Sequence, residues 1–296
     1  MISWLDRMSA AGLRGVGLLQ ADTADRVGAA IGLLAFHLGL RRRMVSEGLA
    51  LLGWRGAARR YEARRSFCSV GASMFSIWTI GHPGGVDPQP APMPQFPGGA
   101  VLVIGHTGMW LAAALQARRR WPGVLAYFKP LKAVAVQQAF VDLWRTSDIT
   151  PLAVASDGGR DAVQVLRALR AGQAVGLAAD QEPGSRRWVP GWFLGQPCRL
   201  HAGPASLALR ARVPVVVGLA LRRRAGVYQV LVSRPLTATR NEEELAQAIA
   251  DRLGALIDAV PGQHLWQHRR FKRSAEPALP DSGNWRRVGV RLLLEP

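Results

Sequence analysis

A histidine, His106, stands where the apolar run VLVIG meets the start of a helical pattern. An imidazole at such a junction can take a proton, because its ordinary pKa of about 6.5 lies close to neutral pH. The chemistry it would serve is activation of a hydroxyl, which as a neutral group is a poor nucleophile. A histidine so placed is equally a structural residue, and the position alone does not separate the two. A second polar loop, ADQEPGSR, follows another apolar run, and with GHTGMW it holds the polar residues a site would need. The two cysteines, Cys68 and Cys198, make neither a disulfide framework nor a metal-ligand spacing. They read as small core residues in a reducing compartment, and no metal or other cofactor is expected.

The elements that must hold these loops alternate along the second part of the chain. Aliphatic or β-branched runs at Ala100–Gly105, Val124–Tyr127, Ala174–Ala178, Pro214–Ala220 and Val227–Ser233 predict strands. Helical patterns lie between and after them at 109–119, 133–145, 158–171, 201–211 and 242–259. This alternation predicts an α/β fold, a central mostly parallel sheet covered by helices. Ligands of such sheets sit beyond strand ends, where both polar loops fall. Residues 1–80 read as helical, 81–99 as a Pro/Gly-rich linker, and 100–296 as the α/β domain.

The formal charge of +18 is carried almost wholly by arginine, with lysine only at Lys129, Lys132 and Lys272. Such a field attracts phosphate-rich surfaces, which include nucleic acid, anionic lipid and acidic carrier proteins. No zinc-finger spacing or aromatic–basic interleaving supports nucleic acid as the partner. The longest apolar run, Val27 to Leu40, is too short for a bilayer core of about 30 Å. Arg41, Arg42 and Arg43 follow it directly, then Arg55, Arg59, Arg60, Arg64 and Arg65. An apolar helix followed by clustered cations is what a membrane-associating segment on an anionic leaflet needs. An ordinary core helix with a solvated basic turn would show the same pattern.

Four blocks resemble the family of lipid A late acyltransferases, the lauroyl and myristoyl transferases that use acyl carrier protein thioesters. GHTGMWLAA is similar to that family's His–x4–acid motif, and YFKPLKAVAVQQAFVDLWR to its Tyr-Arg-Pro block. The stretch from LRALRAGQAVGLAADQEPG through RVPVVV matches its Asp-Gln region, and PGQHLWQHRRFK its aromatic–His–Arg–Arg ending. The resemblance runs from about Leu38 to Lys272 and implies acyl transfer from a carrier-protein or CoA thioester to a hydroxyl of an anionic membrane lipid or glycolipid. It also implies a place at the cytoplasmic face of the bacterial inner membrane. His106 would be the base and Asp180 a catalytic carboxylate, while Lys129, Gln181, Arg269 and Arg270 would bind substrate, with His268 in the same ending. Lys129 stands where that family has arginine and lacks its bidentate fork.

One departure bears on the chemistry. The fifth residue after His106 should be acidic, so that its carboxylate holds the imidazole and stabilises the imidazolium; here it is Leu111. Three outcomes are open: Asp180 or Glu182 supplies the carboxylate, the enzyme runs weakly on an unoriented base, or transfer is lost and a lipid-binding homologue remains. A glycerolipid acyltransferase shares the His–x4–acid arrangement, but Glu182, Gly184 and Arg186 only partly echo its Phe-Pro-Glu-Gly-Thr-Arg block.

Overall fold

The computed structural model describes residues 11–154, 160–184, 187–237 and 241–271. Arg186, Lys272, Arg286 and Arg287 lie outside the described residues.

Six strands form one sheet: β1 (Ala100–Gly108), β2 (Val124–Phe128), β3 (Ile149–Ala153), β4 (Ala174–Ala178), β7 (Val215–Arg224) and β8 (Val227–Val232), in the order β3-β2-β4-β1-β7-β8. All neighbours run parallel except β8, which returns antiparallel on β7. The central strands are apolar on both faces because helices cover both faces. Val101, Val103 and Val217 enter one core cluster, and Ala100, Leu102 and Val216 the other. The covering helices are α4 (Trp110–Arg118), α5 (Val134–Thr146), α6 (Arg160–Arg170), α7 (Gly203–Ala211) and α8 (Glu242–Ala259). The α/β fold with a mostly parallel sheet is therefore as the alternation predicts.

Two features were not legible in local pattern. Strand β3 carries Pro151 and is five residues long; it sits at the sheet edge, where a missing N–H donor is tolerated. A separate antiparallel hairpin, β5 (Trp188–Phe193) and β6 (Gln196–His201), lies within the stretch that follows Asp180. Its sequences contain Pro190, Gly191 and Pro197, so it depends on packing: Arg199 stacks on Trp188 at 4.3 Å, and Gln247 of α8 bonds the backbone of Trp192.

The N-terminal helices α1 (Ala21–His37), α2 (Arg42–Leu51) and α3 (Gly56–Ser76) are built onto this core. Phe36, Val45, Leu49, Ala63 and Phe67 belong to the same buried cluster as Val101 and Val103 of β1. Helices α1 and α3 cross with their backbones in contact, so a Cβ on Gly28 would lie 2.3 Å from the Gly71 carbonyl. Asp25 of α1 is fully buried and accepts from Arg222 of β7 at 2.9 and 3.0 Å and from the Tyr228 hydroxyl of β8 at 2.8 Å. Among the described residues, no helix is long and apolar enough to cross a membrane. Residues 81–99 run as an irregular strap. Asp87 pairs with Arg119, the Ala91 carbonyl accepts from Gln116, and the Phe96 carbonyl accepts from Arg120.

Candidate active site

Strands β1 and β4 lie side by side in parallel, with Ile104 opposite Ala178. Their C-terminal ends therefore open on the same edge of the sheet, where His106 and Asp180 follow. Beyond Ile104 the β1–β7 register shifts, and the irregularity ends at Gly108 with φ of 57°. A Cβ there would lie 1.8 Å from the Ala220 carbonyl, so only glycine fits. Such a bulge re-aims side chains next to it.

His106 Nδ1 lies 2.8 Å from Asp180 Oδ1, and the His106 backbone N–H donates to Asp180 Oδ2 at 3.0 Å. The carboxylate thus grips ring and backbone of the same residue. Asp180 is 2% exposed, whereas the His106 side chain keeps 21% of its surface open. With the proton held on Nδ1 by the carboxylate, Nε2 carries a free lone pair. Among the described residues no hydrogen bond occupies it. The Gln181 amide sits 3.3 Å from Nδ1, and its backbone carbonyl faces His201 Nε2 at 3.0 Å. Trp110, on the first turn of α4, meets the His106 ring edge-on at 5.2 Å.

Burial pulls the His106 pKa down, but the charge of Asp180 and its hydrogen bond outweigh that pull, and the net shift is upward from 6.5. Burial alone would raise Asp180; the charge and hydrogen bond of His106, helped by His264 and the backbone N–H, hold it well below the usual carboxylate range. Leu111 is 2% exposed and packs in the apolar cluster with Met109 and Ala112. The helix position that resembles the family's acid is thus core, and the carboxylate beside His106 comes from the loop after β4.

His264 was not singled out from the sequence. Its Nε2 lies 3.8 Å from Asp180 Oδ2, and its Nδ1 is 3.0 Å from Thr107 Oγ1. Burial pushes its pKa down to about 4, so it is neutral at pH 7. The residue arrives because the terminal block lies antiparallel against the end of β1: Leu265 N–H donates to the His106 carbonyl at 2.9 Å. Gln263 clamps that block to the backbone of Arg222, and Ser66 of α3 donates to the His264 carbonyl at 2.7 Å. The hint in the sequence was a second histidine, four residues before His268, in the same PGQHLWQHRRFK block.

The remaining candidates are placed differently from one another. Arg270 is 7% exposed and turns inward, donating to Glu182 at 3.4 Å and to the Arg199 carbonyl at 3.0 Å. Glu182 is thereby committed to Arg270 rather than to His106. Arg269 is exposed, and Lys129 is exposed just beyond β2. Partial burial lowers the pKa of His268, and the charges of His106, Lys129 and Arg41 add to that against the pull of Asp180. His268 therefore lies within electrostatic reach of both the His106–Asp180 pair and Lys129. Among the described residues no group of three His, Cys, Asp or Glu side chains could hold a metal ion.

Comparison with known proteins places the chain in a family. Residues 95–273, more than half of the chain, match the model of the bacterial lipid A biosynthesis acyltransferase family. Two curated relatives, the phosphatidylinositol mannoside acyltransferases of Mycobacterium tuberculosis strains CDC 1551 / Oshkosh and ATCC 25618 / H37Rv, are each 30% identical over 175 residues. The match covers 57% of this chain and 54% of each relative, so the chain spans about half the length of the curated relatives it matches. The matched segment contains β1 with His106, the loop with Asp180 and the block with His264, and the chain belongs to the bacterial lipid A biosynthesis acyltransferase family.

Proposed function

We propose that this chain transfers a fatty acyl group from a carrier-protein or CoA thioester to a hydroxyl of a membrane glycolipid, such as a lipid A precursor or a mannosylated phospholipid. The observation that carries the reading is the 2.8 Å contact of a buried carboxylate with Nδ1 of a histidine whose other nitrogen is open. His106 Nε2 takes the acceptor's hydroxyl proton as the oxygen attacks the thioester carbonyl. The C–O ester bond forms, the C–S bond breaks, and the thiol leaves with that proton. Asp180 fixes the tautomer and stabilises the imidazolium. Arg269 and Lys129, both exposed, would supply positive charge for phosphate groups on either substrate. The enzyme works peripherally at the cytoplasmic face of the inner membrane, with α1 to α3 against the lipid.

The test is acyl transfer from carrier-protein and CoA thioesters to a panel of lipid acceptors. Wild type is expected to turn over, and His106→Gln to fall to background. Leu111→Glu should not raise activity, because it drives a carboxylate into a sealed apolar cluster while Asp180 already serves His106. A wild type inactive on every acceptor whose Leu111→Glu variant gains activity would overturn the reading of Asp180 as the working carboxylate.

A further inference from the structure

A concave feature lies away from His106, among the N-terminal helices. A cavity of about 650 Å³ opens between the end of α1 and the starts of α2 and α3. Arg42, Arg43, Arg59 and Arg60 line it, over a floor that includes the buried Phe36 and Ala63. Among the described residues only Arg43 of these four has a carboxylate partner, Glu47. Water reaches these guanidinium groups, which are exposed except for the half-buried Arg59, so an anion entering the cavity meets four positive charges from three sides.

Two helix starts add to the positive field. Helices α2 and α3 have no side-chain cap and no acidic residue in their first turns, and Arg42 and Gly56, their first residues, both line the cavity. Free N–H groups and helix dipoles at such ends favour negative charge. Beside the cavity, α1 and its C-cap Leu38 present an exposed apolar face: Val27, Ile31, Leu34 and Leu38 recur at helical spacing and are 41%, 45%, 57% and 66% exposed. Leu38 and Leu40 flank Gly39, which itself lines the cavity. A basic hollow rimmed by exposed leucines matches a lipid, with the phosphate below and acyl chains alongside. It does not match an acidic protein surface, which would leave the leucine face uncovered.

We propose that this cavity binds the phosphate of an anionic glycerophospholipid in the bilayer, and so docks the chain with α1 in the interface plane. The inference rests on the membrane-peripheral part of the reading above, and not on its chemistry. The docked end is tied to the active-site edge, since Arg41 donates to the Gln267 carbonyl at 2.9 Å in the block that carries His264.

The experiment is co-sedimentation of the full chain with vesicles of phosphatidylcholine, with and without 30 mol% (about one lipid in three) phosphatidylglycerol, at about 0.15 M salt, where diffuse attraction is screened beyond about 8 Å. Arg42→Gln/Arg59→Gln should lower binding to the anionic vesicles about 10- to 30-fold. The exposed pair Arg145→Gln/Arg210→Gln, equal in charge, should change it no more than about twofold. Leu34→Ser/Leu38→Ser should weaken binding to both vesicle types. Circular dichroism checks that each variant is folded, and acyl transfer to a detergent-dispersed acceptor should be retained by the cavity variant. Equal losses from the two arginine pairs, or a wild type that binds no vesicle, would overturn the proposal. So would a cavity variant that loses binding to glycerol phosphate or to acyl carrier protein while sedimenting normally with vesicles. A wild type that sediments as expected but transfers no acyl group refutes the proposed chemistry alone.

Discussion

Asp25 on α1 and Asp180 beyond β4 are both buried aspartates held by basic partners, with 0% and 2% of their surfaces exposed. Asp25 faces Arg222, which stays charged throughout the working pH range, and the hydroxyl of Tyr228, whose pKa burial pushes up. Arg222 and Tyr228 are both shifted upward and keep their protons, so the cluster acts as a tie between the first helix and the β7–β8 edge. Asp180 faces an imidazole whose pKa it raises from 6.5 and whose ring opens to solvent on its other side. The same buried carboxylate is therefore a tie in one place and, in the proposed mechanism, the partner of the base in the other. What separates them is the proton affinity of the partner and whether the partner has a free edge.

Replacement of each aspartate by its amide should pull the two roles apart. Asp180→Asn is expected to lower acyl-transfer kcat by about 10²- to 10⁴-fold, because the amide favours the wrong tautomer and cannot stabilise the imidazolium. A loss that merely tracks the unfolded fraction would mean that Asp180 is structural as well, and the contrast would collapse.

Asp25→Asn should do the reverse. It leaves the Arg222 guanidinium facing a neutral amide in a partly buried site, at a cost of about 3 kcal/mol in unfolding free energy by denaturant titration. Turnover per folded molecule should stay within about threefold of wild type. A large fall in kcat with the stability unchanged would show that the α1 tie also sets the geometry around His106.

The pH dependence sharpens the same point with a smaller effect. The net shift of His106 is upward from 6.5, so the acidic limb of kcat/KM should fall above that value, with activity lost as pH drops through it. In Asp180→Asn the raising influences are gone and burial remains, so the limb should move to lower pH even as the rate falls. Stability gives the matching signal. A carboxylate held below its ordinary 3.8 contributes stability at pH above that value, which is lost as pH falls towards the lowered pKa. Thermal unfolding scans between about pH 2 and 5 should show this slope in wild type and a shallower one in the asparagine variant. Identical scans would mean that the His106–Asp180 pair is not formed in solution.

The alternation of aliphatic runs with helical patterns determined the parallel sheet, because both are local properties that each segment carries on its own. It also determined that His106 and Asp180 each follow a strand, and hence that they share the carboxyl edge of the sheet. The meaning of Leu111 could not be read there: its side chain is apolar in sequence, but only packing shows that it is sealed in the core while a residue 74 positions after His106 supplies the carboxylate. The β1–β4 register and the bulge that ends at Gly108 decided that contact, and neither leaves a periodic trace. The same holds for His264, which reaches Thr107 across 157 residues, and for Arg270, which the β5–β6 hairpin turns inward against Glu182 and Arg199. Local pattern fixes which face of an element is apolar. Which side chains meet across long stretches of chain is set by register and by how elements cross, and those are decided by the packing of the whole core.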